Sequence, residues 1–264
     1  MISAMAQPNI GGGFRDVDAS GAPAAFVEYL DDVRELLAEV KEQAIADLNL
    51  GPGDSVLDVG CGTGDDLPAL AAAVAGGRVV GVDVSESLVD EARRRTRQFA
   101  EVEVRVGDAH ALPFAADEFS ACRVDRVLQH VAEPEAVLAE LARVTRRGGR
   151  VVITDPDWDT LIIDSDDLAL ARRVARAQAS GIRHPDIGRR LARLASGAGL
   201  NVLEARCNGI PVRDLAMADA VFRLQSAVDR LADRDVERWW EGLRAEQGSF
   251  FAAMMGVTVV ALAP

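Results

Sequence analysis

The chain has 264 residues, of which 49% are hydrophobic, and a formal net charge of −13 at pH 7. This length suits one α/β domain with additions. The acidic balance disfavours nucleic acid and anionic membranes as partners, because phosphate binding needs clustered Lys and Arg.

Neither the cysteines nor the apolar runs indicate export or a membrane. Three cysteines fit no zinc or disulfide pattern, and no apolar run reaches the length of roughly 20 residues that spans a bilayer. We therefore expect a cytoplasmic protein with reduced cysteines that serve as packing residues. Its histidines and carboxylates show no ligand spacing, which predicts that no metal is bound.

The N-terminal third begins with a helical segment. From about residue 23 to residue 48, apolar residues recur at helical spacing. Phe26 and Tyr29 share one face of this segment. Because the segment precedes the first predicted strand, residues 1–48 are expected to form a helical cap outside the sheet. Met1 to Gly13 is polar and glycine-rich and is expected to be loose.

Strands and helices then alternate. The predicted strands are 55–59, 78–82, 102–106, 119–124 and 150–154, and helices are predicted between most of them. Near-continuous apolar strands that alternate with helices are typical of a parallel sheet covered on both faces. This predicts an α/β fold with a doubly wound, mostly parallel, Rossmann-like sheet.

The pattern changes after residue 155. Residues 156–161 look irregular, helices are predicted at 166–180 and 187–198, and strands at 201–207 and after Gly256. The two last strands bring the sheet to seven. Residues 212–247 are predicted to be helical, and they are rich in charged side chains.

A glycine-rich turn follows the first strand, at Gly60, Gly62 and Gly64. Such a turn between a strand and a helix lets a ligand approach the backbone closely. A dinucleotide site is the first alternative, but Asp65 occupies the position of the last Gly or Ala in G-x-G-x-x-G. Asp58 at the strand end would also repel a pyrophosphate and suits an ammonium group.

The second strand ends in Asp83, where a βαβ nucleotide fold hydrogen-bonds a ribose diol. A ligand with a cationic head, a ribose and no phosphate is S-adenosylmethionine. A capping role before Ser85 is the alternative for Asp83.

These residues carry a family resemblance. The ordered motifs Asp58–Gly64, Gly81–Asp83, Gly107–Ala109 and Leu112–Phe114 resemble those of class I S-adenosylmethionine-dependent methyltransferases. The resemblance covers about residues 48–155. It is closest to the small-molecule branch with ubiquinone/menaquinone-type and natural-product enzymes.

The resemblance implies a set of cofactor contacts. The backbone at Gly60 and Gly62 would carry the methionine part, Asp58 its ammonium, Asp83 the ribose hydroxyls and Asp108 the adenine amino group. Tyr29 would close over the ligands, although simple packing is its alternative. Apolar contacts to the cofactor are expected from Val84, Leu88, Ala109 and Val124.

The fourth strand departs from the family pattern at Ser120 and Arg123. A buried arginine needs a partner, for which Asp155, Asp157 or an anionic acceptor is expected. His130, in the loop after this strand, is the candidate general base, since histidine titrates near neutrality. Asp155 could orient it or bind the acceptor; packing or capping is the alternative for His130.

The sequence thus favours methyl transfer to a small, secondary-metabolite acceptor, with S-adenosylhomocysteine as product, by a monomer or homodimer. An NAD-dependent oxidoreductase, a binding protein and a non-methylating member of the fold remain open. The cap at 1–48 precedes a methyltransferase domain at 49–264. By resemblance, insertions near 157–185 and 212–247 are candidate lids over the acceptor.

Overall fold

A computed structural model describes residues 17–20, 23–245 and 250–264. Within them, seven strands form one sheet: β1 Ser55–Val59, β2 Arg78–Asp83, β3 Val102–Val106, β4 Phe119–Asp125, β5 Thr145–Ile163, β6 Asn201–Val212 and β7 Ala252–Leu262. The described α-helices are α1 Pro23–Leu36, α2 Ala38–Asp47, α3 Leu67–Val74, α4 Glu86–Thr96, α5 Pro134–Val144, α6 Leu168–Ser180, α7 Ile187–Gly197, α8 Leu215–Phe222, α9 Leu224–Leu231 and α10 Arg234–Ala245. The first 13 residues, expected to be loose, lie outside the described residues.

The strand order is β3-β2-β1-β4-β5-β7-β6. The first five strands are parallel, and β7 runs antiparallel between β5 and β6. This confirms the predicted doubly wound, mostly parallel seven-stranded sheet. The order reverses between β1 and β4, and ligands of open α/β sheets bind beyond the carboxyl ends of strands at such a point.

The main core lies between the sheet and the helices on one face. Leu57, Cys122 and Ile153 of the strands pack there with Leu138 of α5 and Leu191 of α7. All five are fully buried. Burial on both faces explains why the central strands are continuous apolar runs.

A second core joins the helices beyond the carboxyl ends of the strands. Trp158 at the end of β5 belongs to it with Val174 of α6, Phe222 of α8 and Trp240 of α10. Residues of α1 and α9 pack in the same cluster. The helical regions predicted at both sides of β6 therefore pack together, over the sheet edge where the ligand site is expected.

Several predicted boundaries differ from the structure. β5 begins at Thr145 rather than at 150, and β7 begins at Ala252, before Gly256, because each pairs with a neighbouring strand there. Residues 156–161, predicted as irregular, belong to β5, because the antiparallel partner β7 continues the ladder with a register shift between Asp157 and Ile162. For the same reason β6 continues to Val212 rather than ending at 207. The predicted helical stretch 212–247 forms three helices, because Arg223 and Ala232 adopt left-handed backbone conformations.

Cys207 was also predicted as a packing residue, but it is exposed on β6, whereas Cys122 is buried. β6 is the last strand in the order, so one of its edges has no partner strand among the described residues.

Candidate active site

A cavity of about 840 Å³ opens at the carboxyl ends of β1, β2, β4 and β5. This volume is typical of small-molecule sites, which span roughly 300–1,000 Å³. Helices α1, α2, α6, α8 and α9 supply much of the remaining wall. Most of the predicted site residues line it: Tyr29, Asp58, Gly60, Gly62, Asp83, Val84, Leu88, Asp108, Ala109, His130 and Asp155.

Val124 is the predicted contact that the structure places elsewhere. It is fully buried in the main core. Side chains alternate along a strand, and its neighbours Arg123 and Asp125 face the cavity instead. The alternation therefore turns Val124 away from the ligand.

The glycine turn brings backbone to the cavity wall. Gly60 and Gly62 have φ angles of +73° and +53°, which glycine adopts readily. A Cβ on Gly60 would lie 2.2 Å from Cγ2 of Val127, in the loop after β4. The Gly60 N–H donates to the Val82 carbonyl at 2.7 Å, so the turn packs tightly against both neighbouring strands.

Asp83 ends β2 beside this turn. Its carboxylate accepts hydrogen bonds from the N–H groups of Gly62 (2.9 Å) and Ser85 (3.0 Å). Burial raises the pKa of Asp83, and these two hydrogen bonds oppose that shift. The next side chain, Val84, is 59% exposed although it is apolar. An exposed valine beside a buried carboxylate fits a ligand that offers hydroxyls and a flat apolar ring.

The start of α4 is tied to the N-terminal segment by an acid that the sequence analysis missed. Asp18 accepts from Ser85 Oγ at 2.9 Å and from the N–H groups of Glu86 and Ser87 at 2.8 and 3.1 Å. Hydrogen bonds from Ser87, Ser85 and Glu86 lower the pKa of Asp18. Ser85 was recognised as the helix cap, but the sequence offers no signal for a partner 67 positions away.

Asp108 follows β3 at the cavity rim. Its Oδ1 accepts from the His110 backbone N–H at 2.9 Å and lies 2.6 Å from His110 Nδ1. These hydrogen bonds from His110 lower the pKa of Asp108. The side chain is 61% exposed, so a carboxylate remains at the rim to accept from a ligand.

Buried charges lie beneath the glycine turn. Arg123, 1% exposed, contacts three carboxylates: Nη1 lies 2.8 Å from Asp66 and 3.6 Å from Asp58, and Nη2 lies 2.7 Å from Asp125. Lys41 of α2 adds a contact to Asp66 at 2.9 Å. The predicted pairing of Arg123 with Asp155 or Asp157 is therefore wrong.

Strand register explains that correction. Arg123 pairs with Asp58 across the β1–β4 ladder and shares a face with Asp125 two residues on. Asp157 is occupied by Arg189, whose Nε lies 2.6 Å from its Oδ2. Burial raises the pKa of Asp58 to about 7, and the charge of Arg123 opposes the shift.

Asp155 fixes the loop that carries His130. It is fully buried, and its two oxygens accept from the N–H groups of Leu128 and Gln129 at 3.0 and 3.2 Å. Burial raises its pKa to about 8. The His130 N–H closes the turn onto the Val127 carbonyl at 2.9 Å. Asp155 thus acts on the loop through its backbone, and the loop presents His130 to the cavity.

Most of the cavity lining that the helices supply was not predicted from the sequence. Tyr29 of α1 is half-buried, and its hydroxyl donates to the Val221 carbonyl at 3.4 Å. Burial raises the pKa of Tyr29. Arg126, Arg223 and Arg230 also line the cavity. Arg126 directly follows β4, so its place at the cavity could have been predicted from the sequence. Arg223 and Arg230 could not, because they resemble ordinary charged residues of helices.

The part of the chain that the structure describes contains no group of three or more His, Cys, Asp or Glu side chains able to hold a metal ion. None of the helices in this part of the chain is both long and apolar enough to cross a bilayer.

Known proteins share this architecture. Residues 50–190 match a family model described as a methyltransferase domain. An uncharacterised 37.1 kDa protein of a Streptomyces fradiae transposon is 43% identical over 247 residues, covering 90% of this chain and 71% of that protein. The demethylmenaquinone methyltransferase of Staphylococcus saprophyticus is 34% identical over 121 residues, covering 46% of this chain and 52% of that enzyme, so the match spans about half of each.

A solved geranyl diphosphate methyltransferase, in complex with GPP and sinefungin, has the same fold. It superimposes with a TM-score of 0.56 at 22% identity, over 86% of this chain and 78% of that one. These matches do not favour the NAD-dependent alternative. The chain therefore belongs to the class I S-adenosylmethionine-dependent methyltransferases.

Proposed function

We propose that this protein transfers the methyl group of S-adenosylmethionine to a small secondary metabolite in the cytoplasm. The observation that carries the proposal is one cavity lined by two different sets of residues. One set is the glycine turn with Asp83 at the strand ends, and the other belongs to the helices α1, α6, α8 and α9. Relatives named for menaquinone precursors and geranyl diphosphate support a small acceptor.

The residues present fit this cofactor. Gly60 and Gly62 line the cavity, so their backbone could meet the methionine part there. Asp58 would face its ammonium, Asp83 would accept from the ribose hydroxyls, and Asp108 from the adenine amino group. Apolar contacts to the adenine would come from Val84, Leu88 and Ala109.

Catalysis would rest on alignment and on one base. The cofactor supplies a methyl group that its sulfonium charge already activates. His130 would take the proton that a hydroxyl or amine acceptor loses as it attacks that methyl carbon. Asp155 would be a positioning residue, because it holds the N–H groups of Leu128 and Gln129 beside His130. Holding acceptor and methyl group in line supplies the rest of the rate gain.

The helices of the second core would act as a lid. Tyr29 on α1 and Trp158 before α6 line the cavity and belong to that cluster or pack against it. Closing them over both ligands would exclude water from the reacting atoms. The helical cap at 1–48 and the insertions near 157–185 and 212–247 would then be parts of one cover.

Calorimetry with S-adenosylhomocysteine and with NAD, followed by methyl transfer to phenols, amines and carboxylic acids, tests the proposal. We expect binding of S-adenosylhomocysteine alone and transfer of labelled methyl to one acceptor class. Binding of NAD instead would overturn it. Binding without methyl transfer to any acceptor would favour a binding protein or another reaction on the same fold.

A further inference from the structure

We infer that the acceptor is an anion, and that Arg126 and Arg223 hold its carboxylate beside Tyr29. This inference rests on the proposed function, because it names the chemical class of the acceptor.

The cavity lining carries both acidic and basic side chains. Acids surround the expected cofactor position at Asp58, Asp83 and Asp108. The cations on that side, Arg123 and Lys41, are already neutralised by carboxylates at 2.7–2.9 Å. The cavity is also lined by Arg126, Arg183, Arg223 and Arg230, in a chain whose net charge is −13.

Arg126 carries a buried hydrogen-bond donor at the cavity. It takes a left-handed backbone conformation directly after β4, with φ +58°, and its N–H donates to the Thr154 carbonyl at 2.7 Å. Its Nε is buried and has no hydrogen-bond partner. The carboxylate of Asp125 lies 3.6 Å from this Nε and already contacts Arg123 at 2.7 Å. A buried guanidinium N–H without an acceptor is costly, and a ligand carboxylate would relieve that cost.

Arg223 enters the same space from the junction of α8 and α9. Its φ is +56°, and its N–H donates to the Asp219 carbonyl at 2.8 Å. Its guanidinium lies over the ring of Tyr29, 5.9 Å from the centroid. Burial lowers the pKa of Arg223, and Tyr29 feels the charges of both Arg126 and Arg223. Arg223 therefore contacts the Tyr29 ring, and the charge of Arg126 acts on the same side chain.

A third cation of the cavity lining, Arg230, has neutral hydrogen-bond partners. Arg230 donates to the Ala177 carbonyl at 3.0 Å and to the Gln178 side chain at 2.7 Å, which are neutral groups. Asp229 also lines the cavity, and its carboxylate accepts from Gln225 at 2.7 Å. A planar acid is the ligand that guanidinium forks bind best.

A carboxylate could come from the acceptor or from the methionine part of the cofactor. We assign it to the acceptor because Arg223 and Arg230 belong to α8–α9 and Arg183 follows α6. The glycine turn, Asp83 and Asp108 belong to the strand ends, which Arg126 also borders, so Arg126 would reach the acceptor from the strand ends and Arg223 from the helices.

The test is calorimetry on the protein saturated with S-adenosylhomocysteine. Benzoate and benzamide serve as probes, because they share a shape and differ in charge. We expect benzoate to bind at least about tenfold tighter than benzamide, as expected for one charge-assisted contact. Arg126→Met and Arg223→Met should each weaken benzoate binding by about tenfold or more, with S-adenosylhomocysteine affinity nearly unchanged. Arg176→Met, on the exposed side of α6, is the matched control.

Arg126→Lys keeps the positive charge and should retain part of the benzoate affinity. It therefore tests the role of Arg126 even if Arg126→Met fails to fold. Equal or absent binding of the two probes would overturn the inference. Loss of S-adenosylhomocysteine affinity with benzoate binding intact would assign the arginines to the cofactor instead. If the wild-type protein binds no S-adenosylhomocysteine, the proposed function itself fails.

Discussion

At the scale of single residues, the site depends on carboxylates placed at strand ends. Asp83 is the clearest case, since its oxygens already organise the glycine turn and the start of α4. A ribose diol held by this carboxylate is a charge-assisted contact worth roughly 1.5–3 kcal/mol. Asp83→Ala should therefore weaken S-adenosylmethionine binding by about ten- to a hundredfold, measured by calorimetry. Asp90→Ala on the exposed face of α4 is the control, and equal affinities of the two variants would remove this assignment.

From the raised pKa of Asp58 we predict that cofactor binding releases a proton. Its pKa of about 7 leaves it partly protonated at neutral pH, between the cations Arg123 and Lys41 and the acids Asp66 and Asp125. A bound ammonium favours the ionised carboxylate. We expect release of about half a proton at pH 7, and tighter binding of S-adenosylhomocysteine as pH rises from 6 to 8. Calorimetry in buffers of different ionisation enthalpy measures this release. Asp58→Asn should abolish it, and a variant that releases as much as wild type would refute the linkage.

His130 predicts a loss of turnover without a loss of affinity. It lies in the loop held by Asp155 and lines the cavity. If it accepts the acceptor's proton, His130→Ala should lower turnover by about 10²- to 10⁴-fold, while cofactor affinity stays nearly the same. The wild-type rate should fall at acid pH in a single titration that the variant lacks. Wild-type turnover in the variant, or joint loss of binding and activity, would mean a structural role.

At the scale of elements, the glycine turn and the loop after β4 form one unit. Gly60 and Gly53 both have positive φ angles, +73° and +84°, so alanine strains the backbone at either position by about 1 kcal/mol. A Cβ on Gly60 would also strike Val127 at 2.2 Å, whereas a Cβ on Gly53 meets nothing within 4 Å.

Gly60→Ala should therefore cost about 1–3 kcal/mol more than Gly53→Ala in urea unfolding. It should also displace the His130 loop and weaken S-adenosylhomocysteine binding, while Gly53→Ala leaves that binding intact. Equal effects of the two substitutions on stability and affinity would show that the loop does not pack against the turn.

The elements also show how far sequence can predict this fold. Apolar periodicity and glycine turns were sufficient for β1–β4 and their helices, because those signals are local. The course of β5 beyond Thr154 was not predictable, because β7 stabilises it from a position about 100 residues later. The breaks at Arg223 and Ala232 were hidden, since neither residue type favours a left-handed conformation.

The site divides in the same way. Asp58, Gly60 and Asp83 were found because each follows a strand in a recognisable motif. The partners of Arg123 and the arginines of the cavity lining depend on register and on packing between distant segments, for which one sequence carries no signal. Arg126 alone could have been proposed, from its place next to Asp125 at the end of β4.

At the scale of the whole molecule, the cavity lies between two hydrophobic cores. The sheet core supplies the strand-end part of its lining, and the helical core supplies the helical part. A ligand that touches both parts joins the two cores, so S-adenosylhomocysteine with an acceptor should stabilise the protein more than either ligand does alone.

The stability of the whole molecule should also depend on pH through Asp155. Its pKa is about 8 in the folded protein, because burial disfavours the carboxylate, against an ordinary value of 3.8. Below about pH 4 both states are protonated. Between about pH 4 and 8 the unfolded chain loses this proton while the folded protein keeps it, so the free energy of unfolding falls as pH rises. Above about pH 8 both states are ionised and this contribution levels off.

One proton gives a slope of at most about 1.4 kcal/mol per pH unit. Urea unfolding from pH 5 to 8 should show this decline in wild type, with a further contribution of the same sign from Asp58 up to about pH 7. Asp155→Asn should remove up to about 1.4 kcal/mol per pH unit from this slope, which corresponds to one proton. This holds even if the substitution changes absolute stability through the Leu128 and Gln129 N–H groups. Asp164→Asn, outside the cavity lining, controls for the change in net charge. If Asp155→Asn keeps the wild-type slope, Asp155 is ionised in the folded protein, and the arginines of the cavity lining then face a buried negative charge.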